Sequence, residues 1–149
     1  MRSLYVWLSR LIALGVVVQV LVIAWSTFDI LNKAGDGVPF TEDTEANAGA
    51  MIHSVLGMMV IPLLALLFGI ISFFAKVRGG VALAWATVGL VVLQIALAFA
   101  SFSAPVVGLL HALNAFAIAG VAGIAGARAS RSDTPVAAAT GDPGVPASA

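Results

Sequence analysis

The sequence contains no cysteine. Without a thiol the chain cannot form disulfides, use a thiolate as a nucleophile, ligate an iron–sulfur cluster or attach a c-type haem covalently. Several kinds of redox and hydrolytic chemistry are therefore excluded before any motif is considered.

Charged residues are also scarce, at 9% of the chain, whereas 61% of the residues are hydrophobic. A soluble domain usually carries about 25% charged residues. Since so few charges cannot coat a water-exposed surface, most of the surface is expected to face lipid. The formal net charge is zero, so the composition gives no general attraction to nucleic acid.

The hydrophobic residues fall into four runs, each long enough to cross a bilayer as a helix. These runs predict helices over about residues 6–30, 44–75, 81–102 and 104–128. The remaining residues, 129–149, are rich in Ala, Ser, Thr, Gly and Pro, which is typical of disorder. The predicted fold class is all-α, an integral membrane four-helix bundle of up-down-up-down topology. Its transmembrane domain is 1–128, and 129–149 form a disordered cytoplasmic tail.

The first run has two interpretations. A basic start before an apolar run resembles a secretory signal, and Val22 and Ala24 fit a tolerable cleavage site. The run is long for a signal peptide, however, and Trp25 and Phe28 extend it as an anchor would. We therefore expect the first helix to remain in the mature chain.

Two local signals mark the second helix. Thr41 precedes two acids, so it is expected to cap the helix N-terminus. Pro62 lies in the middle of the run and lacks the N–H that would bond the carbonyl of Met58. A kink is therefore predicted at Pro62.

The basic residues predict the orientation in the membrane. If the four helices alternate in direction, one side holds Arg2, Arg10, Lys76, Arg78, Arg128 and Arg131. The other side holds Lys33 alone. The positive-inside rule then places both termini in the cytoplasm and the acidic loop after the first helix outside. The expected location is the cytoplasmic membrane, with several passes.

Four polar side chains interrupt the apolar runs: Gln19, His53, Gln94 and His111. At a rise of about 1.5 Å per residue, His53 and His111 lie at a similar depth, roughly 8–10 Å below the outer boundary, and Gln94 lies in nearly the same layer. Small residues flank each histidine on its helix face, so both imidazoles are expected to point inward. An ionisable group inside a membrane helix indicates a functional site by default.

Two interpretations of this layer remain open. In the first, His53 and His111 are the axial ligands of one b-type haem, and metal is held through the haem iron only. The pocket would then be formed by Gly57, Gly108, Gln94 and Asn114. In the second, the histidines and Gln94 hydrogen-bond to one another and only specify how the helices pack.

The pattern resembles an uncharacterised family of small four-helix bacterial membrane proteins over about residues 5–128. The resemblance is carried by Gln19, His53-x-x-x-Gly57, Gln94 and the run Leu110-His111-Ala112-Leu113-Asn114. The two histidine motifs are also similar to one haem-bearing half of the haem A synthase and cytochrome b561-like bundles. In those bundles a histidine on each of two helices holds haem b, so the resemblance implies one haem b here. The chain is too short for a full haem A synthase and has no second histidine pair.

Two functions follow from these interpretations. The chain is either a haem-binding protein that transfers electrons or handles haem, or a non-catalytic accessory subunit of a membrane complex. The first function implies a quinone or a larger membrane complex as partner, besides the bilayer itself. A transporter is disfavoured because no acid lies deep in a helix. An enzymatic role is not favoured, and no nucleic-acid partner is expected.

Overall fold

A computed structural model describes residues 1–41 and 44–131. Over these residues the chain forms four long helices and no strand, which confirms the all-helical fold class for this part of the protein. The helices are α1 (Arg2–Gly35), α2 (Ala48–Ser72), α3 (Gly80–Ser103) and α4 (Gly108–Arg131), and a 3-10 turn at Pro105–Val107 precedes α4. Each helix is long and apolar enough to cross a membrane.

The helices at the two ends of the described chain are longer than their apolar runs predict. α1 continues to Gly35, since Lys33 pairs with Asp29 one turn earlier at 2.9 Å and the first left-handed residue is Gly37. α4 continues to Arg131, and Ala129 is fully buried. The carbonyl of Ala129 also accepts a hydrogen bond of 2.9 Å from Arg2 Nε. Residues 129–131 are therefore part of the bundle, and the rest of the predicted tail lies outside the described residues.

The prediction that Thr41 caps α2 is wrong. The helix begins at Ala48, and the side chain of Asn47 caps it by accepting a hydrogen bond of 3.0 Å from the Ala50 N–H. Asn47 also contacts Ser26 and Asp29 of α1, at 2.7 Å and 2.9 Å, so contacts between the helices decide where α2 starts.

Pro62 is accommodated by a π turn. α2 consists of an α-helical segment, Ala48–Val55, the π turn Leu56–Val60 and a second α-helical segment, Ile61–Ser72. The Ile61 N–H donates to the carbonyl of Leu56, five residues earlier. The wider turn lies directly before the proline, where the regular α-helical bonding is interrupted. The sequence thus locates the distortion, and the structure defines its form.

α1 packs against α2 and α4, and α3 packs against the same two helices. The core at the Arg2 end of the bundle contains the fully buried Tyr5 and Phe68, whose ring centroids are 4.5 Å apart. Two glycines permit close contact between helices. A Cβ on Gly49 would lie 2.6 Å from the carbonyl oxygen of Val22, and one on Gly126 would overlap the Ser9 hydroxyl.

The outer surface is apolar along most of the bundle. Large side chains such as Phe28, Leu109 and Phe102 are largely exposed, and the buried core is composed mainly of smaller residues. In water such a surface would aggregate, whereas lipid solvates it. Together with the four long apolar helices, this surface indicates a multi-pass membrane protein.

Candidate functional site

His53 and His111 lie beside each other in the interior of the bundle. Their ring centroids are 6.4 Å apart, and the ring planes are inclined by 56°. His53 precedes the π turn of α2, and His111 lies in the first turn of α4. Both side chains are half-buried. The structure therefore brings together the two residues that the sequence singles out, from helices far apart in the chain.

His53 forms a reciprocal contact with Gln19 of α1. The His53 Nδ1 atom is 3.3 Å from the backbone oxygen of Gln19, and Gln19 Nε2 donates to the backbone oxygen of His53 at 3.1 Å. A carbonyl oxygen can only accept, so Nδ1 of a neutral imidazole carries the proton in this contact. The lone pair is then on Nε2, the nitrogen that a metal would bind.

His111 forms the corresponding contact with Gln94 of α3. Its Nδ1 atom is 3.1 Å from the backbone oxygen of Gln94, which again places the proton on Nδ1. The Gln94 side chain behaves differently, because its Nε2 atom lies 3.1 Å from His111 Nε2. An amide nitrogen donates, so His111 Nε2 accepts, and both contacts agree on one tautomer.

Asn114 holds the Gln94 side chain in place. Its Nδ2 atom donates to Gln94 Oε1 at 2.7 Å and to the backbone oxygen of Leu90 at 2.9 Å. Asn114 is buried and lines neither of the cavities beside the histidines. The predicted pocket residue is therefore a brace for Gln94.

The glutamine–histidine contact is part of a longer repeat between the two helix pairs. Four buried residues of α1 each have a counterpart in α3, which is also buried and lies 75 positions later in the sequence. The matched pairs are Tyr5 and Gly80, Ser9 and Ala84, Ile12 and Thr87, and Val16 and Val91. Gln19 and Gln94 continue the series at the same spacing. The 75-residue spacing is present in the sequence, but it is recognised only when the buried residues of the two helices are compared.

α2 and α4 also match each other. The buried series is Ile61 and Ile118, Ala65 and Ala122, Phe68 and Ala125, Gly69 and Gly126, and Ser72 and Ala129. His53 and His111 are separated by one position more than these pairs. The π turn lies between His53 and Ile61, and its additional residue accounts for the difference.

Two cavities adjoin both histidines. One has a volume of about 340 Å³ and is bounded mainly by α1 and α4, with Val20, Ile23, Ala112 and Phe116 among its walls. The other, of about 540 Å³, is bounded mainly by α2 and α3 and is lined by Ser54, Met58, Ile95 and Ala98. These wall residues are matched by the repeat, so the two cavities occupy equivalent places in the two helix pairs.

Three residues predicted or implicated from sequence line these cavities. Gly57 and Gly108 line the α2–α3 cavity, and Gln94 lines the α1–α4 cavity. A Cβ on Gly57 would lie 2.8 Å from Gln19 Nε2, so this glycine makes room for the Gln19 contact with His53.

Gln19 presents a buried acceptor with no protein partner. Within the described residues its Oε1 atom forms no hydrogen bond, and the residue is only 9% exposed. Gln19 lines the α1–α4 cavity. An unsatisfied buried polar atom costs about 1–3 kcal/mol, so a hydrogen-bond donor in this cavity would be stabilised by Gln19 Oε1.

The donor set suits a cofactor that brings most of its own ligands. Within residues 1–41 and 44–131, no group of three or more His, Asp or Glu side chains could hold a metal ion. Two imidazoles are too few for a zinc site, which takes three or four protein ligands. A haem takes only axial ligands from the protein. The ring centroids, 6.4 Å apart, are close enough for one metal ion to be held by both imidazoles.

No family model, curated protein or solved structure matches the chain.

Proposed function

We propose that this chain is a small haem protein of the cytoplasmic membrane, with His53 and His111 as the axial ligands of one b-type haem. The observation that carries the proposal is the spacing of the two imidazoles, whose centroids are 6.4 Å apart. Two imidazoles at this spacing would hold one iron between them once the Gln94 amide has left His111 Nε2.

The hydrogen bonds of the histidines support the same proposal. Both Nδ1 atoms face backbone carbonyl oxygens, those of Gln19 and Gln94. A carbonyl on the second ring nitrogen is a common partner for a metal-ligating histidine, since it fixes the tautomer and the ring orientation. The lone pair of each neutral ring is thereby on Nε2, which is open in His53 and is bonded by the Gln94 amide in His111.

The surroundings suit an apolar ring system. The cavities on either side of the histidines have nearly all-apolar walls. Haem bound there would supply one-electron redox chemistry, and the low polarity of the walls would tune its potential. Electron transfer within the membrane, with quinone or a larger membrane complex as partner, is the role that this chemistry favours.

The proposal includes an up-down-up-down bundle with both termini in the cytoplasm. Its support is the distribution of charge, since Arg2, Arg78, Arg128 and Arg131 belong to one end of the molecule. The ion pair of Lys33 and Asp29 belongs to the other end. Because the chain has no native cysteine, Asp36→Cys and Ser130→Cys can be labelled separately in intact cells. Labelling of residue 36 from outside and of residue 130 only after permeabilisation is expected, and the reverse would overturn the orientation.

The absorption spectrum tests the haem proposal directly. The protein is expressed with haem supplied, purified in detergent and compared with the double variant His53→Leu/His111→Leu. We expect a Soret band and the low-spin spectrum of six-coordinate haem in the unchanged protein only. If a folded, haem-supplied protein has no Soret band above that of the double variant, the proposal is wrong.

A specific contact favours a second function, that of an accessory subunit whose polar layer only fixes helix packing. The Gln94 amide already occupies His111 Nε2, and Asn114 holds that amide in place. Interhelical polar contacts of this kind contribute about 0.6 kcal/mol each on average. If the chain is such a subunit, the purified protein should contain no haem. Replacing a histidine should then cause only a small loss of stability.

A further inference from the structure

A second cavity system lies at the opposite end of α4 from the histidine layer. It has a volume of about 580 Å³ and is lined by Arg78, Arg128 and Arg131, together with Val77 and Gly79. Arg128 is 17 residues beyond His111 along α4, which corresponds to roughly 26 Å. This site is therefore separate from the histidine layer and does not depend on the haem proposal.

The tight turn between α2 and α3 positions Arg78. Lys76 and Gly79 both adopt left-handed backbone conformations, with φ of 52° and 70°. Val77 is buried, and its carbonyl accepts a hydrogen bond of 2.9 Å from the Gly80 N–H. The side chain of Arg78 is exposed between these fixed points.

The end of α4 brings the other two arginines to the same place. A Cβ on Gly79 would lie 3.5 Å from Arg128 Nη1, so this guanidinium lies against the turn. The hydrogen bond from Arg2 to the carbonyl of Ala129 ties the last turn of α4 to α1. The positive-inside rule explains why basic residues occur at this end, but it does not require three guanidinium groups to line one cavity.

Among the described residues, the charged side chains that line the cavity are all positive, which favours an anion. The acidic side chains of the described residues are Asp29, Asp36 and Glu45, which belong to the end of α1 and the loop before α2. The basic residues that line the cavity are all arginines, and Lys76 of the same turn is not among them. The planar guanidinium group pairs with phosphate oxygens through two parallel hydrogen bonds, which a lysine ammonium cannot do.

Exposed aromatic residues place the cavity near the level of lipid headgroups. Phe73 and Phe74, at the end of α2, are exposed by 59% and 60%, and the ring of Phe73 contacts Trp85 at 6.3 Å. Tryptophan and tyrosine side chains collect at membrane–water interfaces, and Trp85 is exposed. An arginine cavity just beyond Trp85 would lie at the level of the lipid phosphates.

We propose that Arg78, Arg128 and Arg131 bind a phosphate group, either that of an anionic phospholipid or a soluble phosphate. Basic pockets between transmembrane helices on the cytoplasmic side bind the headgroups of anionic lipids. The location beside the exposed aromatic residues makes the lipid phosphate the source that fits this cavity.

Native mass spectrometry of the full chain in detergent tests the proposal. Delipidated protein is titrated separately with phosphatidylglycerol, phosphatidylcholine and inorganic phosphate. The site variant is Arg78→Gln/Arg131→Gln, and the matched control is Arg10→Gln, since Arg10 lies over the Trp7 ring at the same end. We expect one phosphatidylglycerol to bind at least tenfold more tightly than phosphatidylcholine, and the site variant alone to lose this preference.

The outcomes separate the two sources of phosphate. Saturable binding of inorganic phosphate that the site variant abolishes, without a preference for phosphatidylglycerol, assigns the cavity to a soluble phosphate. Equal binding of both lipids and no binding of phosphate overturns the proposal, and so does equal loss of binding in the Arg10→Gln control. If the double variant does not fold, Arg78→Gln alone serves, since this side chain lies in an exposed turn.

Discussion

The α1–α2 pair and the α3–α4 pair contain the same glutamine–histidine contact, yet the two glutamine side chains do different things. Gln19 reaches the backbone of His53 and leaves its Oε1 atom without a partner among the described residues. Gln94 instead reaches the ring of His111, and Asn114 satisfies its oxygen. The first pair therefore has unmet hydrogen-bonding capacity, whereas the second is satisfied within the protein.

This difference assigns distinct roles to the two halves of the layer. Where Asn114 stands in α4, the matched position in α2 is Leu56, which cannot brace a glutamine. In His53 the Nε2 atom is available to a ligand. In His111 the Gln94 amide must leave Nε2 before a metal can bind there.

The largest effect is expected from replacing either histidine. His53→Leu and His111→Leu each remove one axial ligand, so each variant should lose the six-coordinate low-spin haem spectrum. Optical and electron paramagnetic resonance spectra of the purified variants measure this. If both variants retain that spectrum, neither histidine is a ligand. If neither the parent protein nor the variants bind haem and each replacement costs about 1 kcal/mol or less, the packing interpretation stands.

The next largest effect is expected at Gly49, which faces Ser26. Its counterpart for comparison is Gly108, which faces Ser101, the serine 75 positions after Ser26. Gly49→Ala would place a Cβ 2.6 Å from the carbonyl oxygen of Val22 and 2.9 Å from Ser26, so α1 and α2 must move apart. The expected loss is about 1–3 kcal/mol of unfolding free energy. Gly108→Ala is the control, because its Cβ would meet Ser101 Oγ at an ordinary 3.8 Å. Unfolding by SDS in mixed micelles measures both, and equal losses would contradict the close contact at Gly49.

A smaller loss is expected from Asn114→Leu, which makes the second pair resemble the first at this position. It removes the hydrogen bonds to Leu90 and Gln94, and such interhelical bonds contribute about 0.6 kcal/mol on average and up to about 1.7. A double-mutant cycle with Gln94→Leu isolates the bond between the two side chains. Strict additivity of the two changes would show that Asn114 does not brace Gln94.

The smallest effect concerns haem affinity in Gln94→Leu. The Gln94 amide competes for His111 Nε2, so its removal should raise the affinity by about threefold, the equivalent of one average interhelical bond. Haem titration followed by the Soret band measures the change. Gln19→Leu is the matched control, since its amide bonds the backbone of His53 and should not compete. Weaker haem binding in Gln94→Leu would argue that this side chain supports the bound state.

The sequence predicts the helices well because long apolar runs admit few alternatives. It is less reliable where a polar residue has a tertiary partner. Asn47, not Thr41, caps α2 because Asn47 also bonds to Ser26 and Asp29. The helical end of α4 extends into an alanine-rich segment because Ala129 is buried against its neighbours and bonded by Arg2.

The sequence predicts which residues belong to the candidate site better than it predicts their hydrogen-bond partners. Apolar helices make an isolated histidine conspicuous, so His53 and His111 follow from composition alone. Periodicity cannot decide whether a glutamine side chain reaches a ring or a backbone, because that depends on one residue at the next turn, such as Asn114 or Leu56. The repeat between the helix pairs is hidden in the sequence because its offset is 75 residues for α1 and α3, 58 at the two histidines, and 57 after the π turn.

The length of α1 has a consequence for the shape of the end of the bundle where α2 begins. The hydrogen bonds of Asn47 to Ser26 fix the start of α2 at the level of Ser26, so the residues from Thr27 to Gly35 extend beyond it. This overhang is about nine residues, or roughly 14 Å at the usual helical rise. This overhang is helical and carries Asp29, Asn32 and Lys33. A partner that approaches this end of the molecule meets the last turns of α1 before it reaches the start of α2.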